Sequence, residues 1–171
     1  MKKLLLTIII LSALVCGVYA NNQSIKIGYN YNYLFENFNT SNFDKYPPIV
    51  AYGLSLEYEK EFSVDTTWFA HFGYNDNVIY LHNKTDQTIS YLIFGSKKYY
   101  SLLFQGFYTT LELIYGTNGS SFFGPRTSLG YTFNIDNVLV DLGINIGYGF
   151  SLQNNPSMVL TGFQISSGYK F

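Results

Sequence analysis

From Ser24 onward, apolar and polar residues alternate. Ile25, Ile27, Tyr29, Tyr31 and Tyr33 take every second place, with Lys26, Gly28, Asn30 and Asn32 between them. Successive side chains of a strand point to opposite faces, so Ser24 to Leu34 is expected as a strand with one oily and one polar face. The period recurs. Ile49 to Lys60 sets Tyr52, Leu54, Leu56 and Tyr58 against Gly53, Ser55, Glu57 and Glu59, and Thr67 to Asn75 sets Trp68, Ala70, Phe72 and Tyr74 against Phe69, His71 and Gly73. Thr88 to Gly95 is read with Ile89, Tyr91 and Ile93 outward, although Leu92 and Phe94 make the other parity almost as apolar. Further strands follow over Leu103 to Tyr115, Gly124 to Asn134 and Val138 to Ser151. The last places Phe163, Ile165, Tyr169 and Phe171 on one face.

The connections alternate in kind. Glu36 to Pro48 and Asp76 to Gln87 are long and polar, whereas Glu61 to Asp65 and Asn134 to Asn137 are short. Ser96-Lys97-Lys98 reads as the start of another turn. Eight strands of this length, joined long and short in turn, predict an all-β fold: an eight-stranded antiparallel up-and-down transmembrane β-barrel.

A soluble barrel also alternates, but its apolar face points inward. Two features favour the inverted arrangement. The non-apolar face is rich in Gly, Ser, Asn and Thr, which suit a narrow lumen filled by side chains and weaken a solvent-facing strand. The apolar face carries aromatics toward the strand ends, such as Tyr33, Tyr74, Trp68 and Tyr131, with Leu54, Leu111, Leu129 and Ile144 between them. That is the two-girdle pattern of a lipid-facing wall. Composition agrees: charged residues are 12% and aromatics 19%, which would make a water-facing surface adhesive.

The first twenty residues are of another kind. Lys2 and Lys3 precede an apolar run from Leu4 to Val18, and Val18-Tyr19-Ala20 offers a cleavage site. Residues 1–20 are therefore expected to be a cleaved signal peptide and 21–171 the barrel. The run is shorter than a membrane-spanning helix requires. Cleavage would remove Cys16, the single cysteine, leaving no disulfide and no thiol ligand. Without Lys2 and Lys3 the 10 basic residues fall to 8 against 11 acidic ones, so no basic footprint for nucleic acid exists.

The signal peptide, the alternating strands and the terminal Gly168-Tyr169-Lys170-Phe171 together resemble the small outer-membrane barrels of the OmpX, Ail and opacity-protein type. The resemblance implies residence in the bacterial outer membrane. It also implies insertion by the barrel-assembly machinery, with Phe163, Ile165, Tyr169 and Phe171 in the recognised last strand.

Candidate chemistry lies on the inward face. Lys26, Glu57, Glu59, Glu112, Arg126, Asp141 and Lys170 fall there, and charges at membrane depth are expected to pair. Hairpins centred near Ser41, Gly119 and Ile135 would set Lys26 beside Glu57, Glu112 opposite Arg126, and Asn145 on the other flank of Arg126. We therefore expect a polar network of Lys26, Glu57, Glu112, Arg126, Asp141 and Asn145 that stiffens the barrel. His71 and His82 lack companions at metal-ligand spacing, so no metal and no cofactor are expected. No nucleophile is held by a base and an orienting group, so no enzyme is expected. Neither His71-Phe72-Gly73 nor His82-Asn83-Lys84 supplies the run a lipid-modifying barrel would need.

The functional expectation is a monomeric structural or surface-interaction protein. Its partners would be outer-membrane lipids and an extracellular molecule met by loops 35–47 and 76–87, where Phe35, Phe38, Phe43 and Tyr46 stand. The alternatives are a narrow channel for ions or small apolar molecules, and a lipid-modifying enzyme.

Overall fold

Each long strand pairs with its neighbour in sequence, and the first pairs with the last. In the computed structural model, which describes residues 22–36, 49–80, 83–85, 88–118, 120–152 and 157–171, this closes a ring. The strands are β1 (Gln23–Glu36), β2 (Ile49–Ser63), β3 (Thr66–Tyr80), β4 (Asn83–Thr85), β5 (Ile89–Tyr99), β6 (Gly106–Asn118), β7 (Ser120–Ile135), β8 (Val138–Ser151) and β9 (Met158–Lys170). Eight form the barrel, all antiparallel; β4 only adds to the far end of β3, where Val78 pairs with Thr85. Closure between β1 and β9 runs from Ser24 opposite Lys170 to Glu36 opposite Met158. No strand edge is left along the wall, and hydrocarbon demands this of a sheet. The expected signal peptide and most of the first loop lie outside the described residues.

The wall is inverted relative to a soluble protein. Leu111 is 75% exposed and Ile27 64%, while Lys26, Glu59 and Asp141 are 0% exposed. Lys60 and Lys98, on the outward face, stand at the end of the barrel where Gln23 and Phe171 meet, hereafter the terminal end. The hydrogen bond from Gln23 N to Phe171 O (2.9 Å) ties the start of β1 to the last residue there.

Three sequence expectations are corrected. The first concerns parity in β5: Ile89, Tyr91 and Ile93 are buried inside and Leu92 and Phe94 face out. The reason lies across the ladder. Tyr91 pairs with Gly73, and its ring occupies the space a Cβ at Gly73 would take, 2.1 Å from Tyr91 Cζ. It also stacks on His71 at 5.8 Å. The same parity continues to Lys97, which is an inward strand residue and not part of a turn.

The second concerns the connections. Asp76 to Tyr80 belongs to β3, which continues past a bulge opposite Gly53 to pair with Ile49. At the terminal end, β6 begins at Gly106 and not at Leu103. Phe104 turns inward with φ +60° and is 0% exposed, packed on Tyr99, Tyr108 and Leu139. A left-handed Phe is strained by about 1–3 kcal/mol. Complete burial of its ring, at roughly 25 cal/mol per Å², offsets that cost.

The third concerns the lumen, expected to be filled mainly by polar side chains. Its half away from the terminal end is apolar: Leu34, Ile49, Ile89, Ile114, Phe122, Met158 and Leu160 are all buried there. These residues share the inward parity of the charged set but lie farther along the strands from the terminal end.

Candidate functional site

Below the apolar layer, inward positions of β1, β2, β5 and β8 converge on one ionic cluster. Lys26 lies opposite Glu57 in the β1–β2 ladder. Its Nζ is 3.0 Å from Glu57 Oε1 and 2.7 Å from Asp141 Oδ2, and it also contacts Glu59. Lys97 reaches the same carboxylates from β5: Glu57 Oε1 at 3.0 Å, Glu59 Oε2 at 3.2 Å and Asp141 Oδ2 at 3.1 Å. Three carboxylates thus share two ammonium groups, each side chain no more than 3% exposed.

Neutral groups complete the shell. Tyr99 donates its hydroxyl to Glu59 Oε1 at 2.8 Å, Thr67 also donates to Glu59, and His71 Nδ1 lies 3.4 Å from Glu57 Oε2. The Lys97 ammonium sits 4.6 Å from the centre of the Tyr108 ring, a cation–π contact. The Tyr108 ring in turn lies against the wall where Gly130 has no Cβ; one placed there would be 2.3 Å from Tyr108 Cζ.

A second pair stands nearer the apolar layer. Glu112 and Arg126 face each other in the β6–β7 ladder, with Arg126 Nε 3.0 Å from Glu112 Oε2. Ser128 donates to Glu112 Oε1 at 2.7 Å, Thr110 donates to the same oxygen, and Arg126 Nη2 is 3.5 Å from Gln164 Oε1.

Asn145 does not pair with Arg126. It faces Ser128, because the β7–β8 hairpin turns on Asp136 and Asn137 and not on Ile135 and Asp136; the partner of Arg126 in that ladder is Gly147. Asp136 and Asn137 both have positive φ, 50° and 73°. A two-residue hairpin loop of type I′ requires that conformation, and Asp and Asn tolerate it. Asn145 and Arg126 nevertheless line one small cavity together, of about 10 Å³.

Glu59, Lys97, Tyr99 and Thr67 are central to the cluster, yet the expected network contained none of them. Glu59 was legible as inward. Lys97 and Tyr99 were hidden because β5 was expected to end at Gly95, with Lys97 in a turn, and to have the opposite parity. The carboxylate oxygens of Glu57, Glu59 and Asp141 lie within 4.8 Å of one another, a spacing a cation could use, but the two lysine ammoniums already occupy the space between them. His71, Thr110, Tyr108 and Arg126 line a second void of about 10 Å³. Each void is about one water in size and far too small for a permeant path.

The fold is that of small eight-stranded outer-membrane barrels. Superposition on Neisserial surface protein A gives a TM-score of 0.66 at 10% identity, over 87% of this chain and 97% of that one. Ail, the attachment invasion locus protein of Yersinia pestis, gives 0.56 at 17% identity, over 89% and 99%. OprG of Pseudomonas aeruginosa gives 0.55 at 15% identity, over 89% and 96%. No family model and no curated protein sequence matches the chain.

Proposed function

We propose that this chain is a small bacterial outer-membrane protein whose role is structural or surface-interacting, with a sealed barrel as its anchor. The observation that carries the reading is the stacking of three blocks across one lumen. These are the apolar layer around Ile114 and Phe122, the ionic layer around Lys26 and Lys97, and the aromatic cap of Tyr99, Phe104 and Tyr108. Conduction would require a charged or apolar solute to displace all three. That argues against the narrow-channel reading and leaves function to the outer surfaces and loops. No grouping of nucleophile, base and orienting residue among the described residues supports a lipid-modifying enzyme.

A partner would meet the segments 35–47 and 76–87, which carry Phe35, Phe38, Phe43 and Tyr46. One structure of Ail is a complex with the heparin analogue sucrose octasulfate, at 19% identity to this chain. In this chain the segments 35–47 and 76–87 carry Glu36, Asp44, Asp76 and Asp86 against Lys45 and Lys84 in sequence. The net negative charge of these segments favours an apolar or cationic partner over a polyanion.

The test is made on full-length protein from isolated outer membranes. Unheated protein is expected to migrate faster on a detergent gel than heated protein, and planar bilayers containing it are expected to show no unitary currents. Reproducible single-channel steps would return the channel reading. Recovery of the protein as a soluble periplasmic species would remove the membrane reading altogether.

A further inference from the structure

Arg126 lines both internal voids, each of about 10 Å³. The first is also lined by Asn32 of β1, Asn75 of β3, Tyr91 of β5 and Asn145 of β8. Asn32 Nδ2, Asn75 Oδ1, Asn145 Oδ1 and the Tyr91 hydroxyl make no hydrogen bond with the protein, although each residue is at most 6% exposed. The second void is lined by Glu57, His71, Tyr108 and Glu112 as well as Arg126. His71 turns Nδ1 to Glu57, and its Nε2 has no protein partner; nor has the Tyr108 hydroxyl. Both of these residues are buried, at 2% and 1% exposure. Buried polar groups are hydrogen-bonded in the great majority of cases, so six orphan atoms gathered round two voids point to shared ligands.

We propose that each void binds one water molecule. The two waters join the Glu112–Arg126 pair to Asn145 through one void, and to His71 and the Lys26–Lys97 cluster through the other. Size and chemistry select the occupant. A void of about 10 Å³ takes a molecule the size of water and no organic solute. The wall of the first offers acceptors, Asn75 Oδ1 and Asn145 Oδ1, together with donors, Asn32 Nδ2 and the Arg126 guanidinium. A metal cation there would lie against the Arg126 charge, and an anion against carbonyl oxygens. The wall of the second mixes Arg126 with Glu57 and Glu112 in the same way. Water both donates and accepts, and a buried water makes about three hydrogen bonds. It also gives Asn145 a link to Arg126 that the β7–β8 register does not give directly.

The test uses the mature protein folded in detergent, with folding checked by the heat-dependent gel shift. A crystal structure at a resolution that shows ordered solvent is expected to carry one peak in each void, within hydrogen-bond distance of Asn145 Oδ1 in the first and of His71 Nε2 in the second. Crystals soaked in bromide or rubidium separate water from ions. An anomalous peak in either void would make it an ion site and overturn the proposal, and so would a void without density in folded wild type. Neither result depends on where the protein resides, so the outer-membrane reading is tested separately.

A second measurement tests the link. Asn145→Leu keeps the approximate shape of the side chain and removes its acceptor. Asn145→Leu and Arg126→Gln are expected to be coupled about fivefold in the urea unfolding equilibrium, as members of one hydrogen-bond network are. Thr132→Val, at a buried residue that lines neither void, is expected to act independently of Arg126→Gln. Additivity of Asn145→Leu with Arg126→Gln, or equal coupling of Thr132→Val, overturns the proposal. A double variant that fails to fold leaves the decision to the solvent peaks of the wild type.

Discussion

Lys26 on β1 and Lys97 on β5 hold the same oxygen: each ammonium nitrogen lies 3.0 Å from Glu57 Oε1. Two like charges are brought together because three carboxylates surround them, and the strands that supply them are not neighbours in the wall. The cluster therefore ties strands across the lumen as well as around it.

Removing one of those ammoniums leaves three buried carboxylates against a single cation. Lys97→Met is expected to destabilise the barrel by about 3–5 kcal/mol, the usual cost of orphaning a buried charge. Lys98→Met removes only an exposed contact, 3.8 Å from Asp65, and is expected to cost less than about 1 kcal/mol. Urea unfolding in lipid vesicles, read by the heat-dependent gel shift, compares the two. Equal losses would refute the structural role of the cluster.

The pair of Glu112 and Arg126 calls for a double-mutant cycle. Arg126→Ala leaves Glu112 with hydroxyl donors alone and is expected to cost about 3 kcal/mol or more. Glu112→Gln combined with Arg126→Ala removes both charges and is expected to be more stable than Arg126→Ala alone. Additive losses in the unfolding midpoint would show that the pair is not coupled.

Packing between ring and backbone gives a test free of charge. A methyl group at Gly73 collides with the Tyr91 ring. Gly73→Ala is therefore expected to cost about 1–3 kcal/mol, as overpacking does. Tyr91→Leu in the same chain is expected to recover part of that loss, measured as the difference in urea midpoint.

Asp65, in the turn between β2 and β3, supplies a pH test. The Thr66 hydroxyl (2.9 Å), the Ser63 hydroxyl (3.2 Å) and the nearby Lys98 ammonium hold its carboxyl below the ordinary carboxylate range. A depressed folded-state value contributes stability above the unfolded pKa, near 3.9, and loses it as pH falls through the folded value. Wild type is thus expected to be slightly more stable than Asp65→Asn at pH 7, with the difference vanishing on acidification below about pH 4. A difference that grows in acid would contradict the assignment.

The alternation was legible wherever one face was oily and the other small or polar, as along Val138 to Ser151, because period two is a local property. It failed at Ile89 to Phe94, where both parities are apolar. There the choice is made by Gly73 on β3, whose missing side chain admits Tyr91, and nothing within β5 records that. Hairpin arithmetic placed Lys26 against Glu57 and Glu112 against Arg126, and the ladders have those registers. It misplaced Asn145 by two residues because the turn centre was set one residue early. Asp136-Asn137, both suited to positive φ, was the signal for the right centre. The turn at Phe104 was beyond local reading, since the expected strand ran from Leu103 and nothing in the periodicity marks its break before Gly106.

The Phe104 turn has a consequence at the scale of the cell. On the outer-membrane reading, a barrel corked from the periplasmic side as well as filled above adds surface without adding permeability. A bacterium can then crowd its envelope with copies of this protein and keep its barrier to solutes intact.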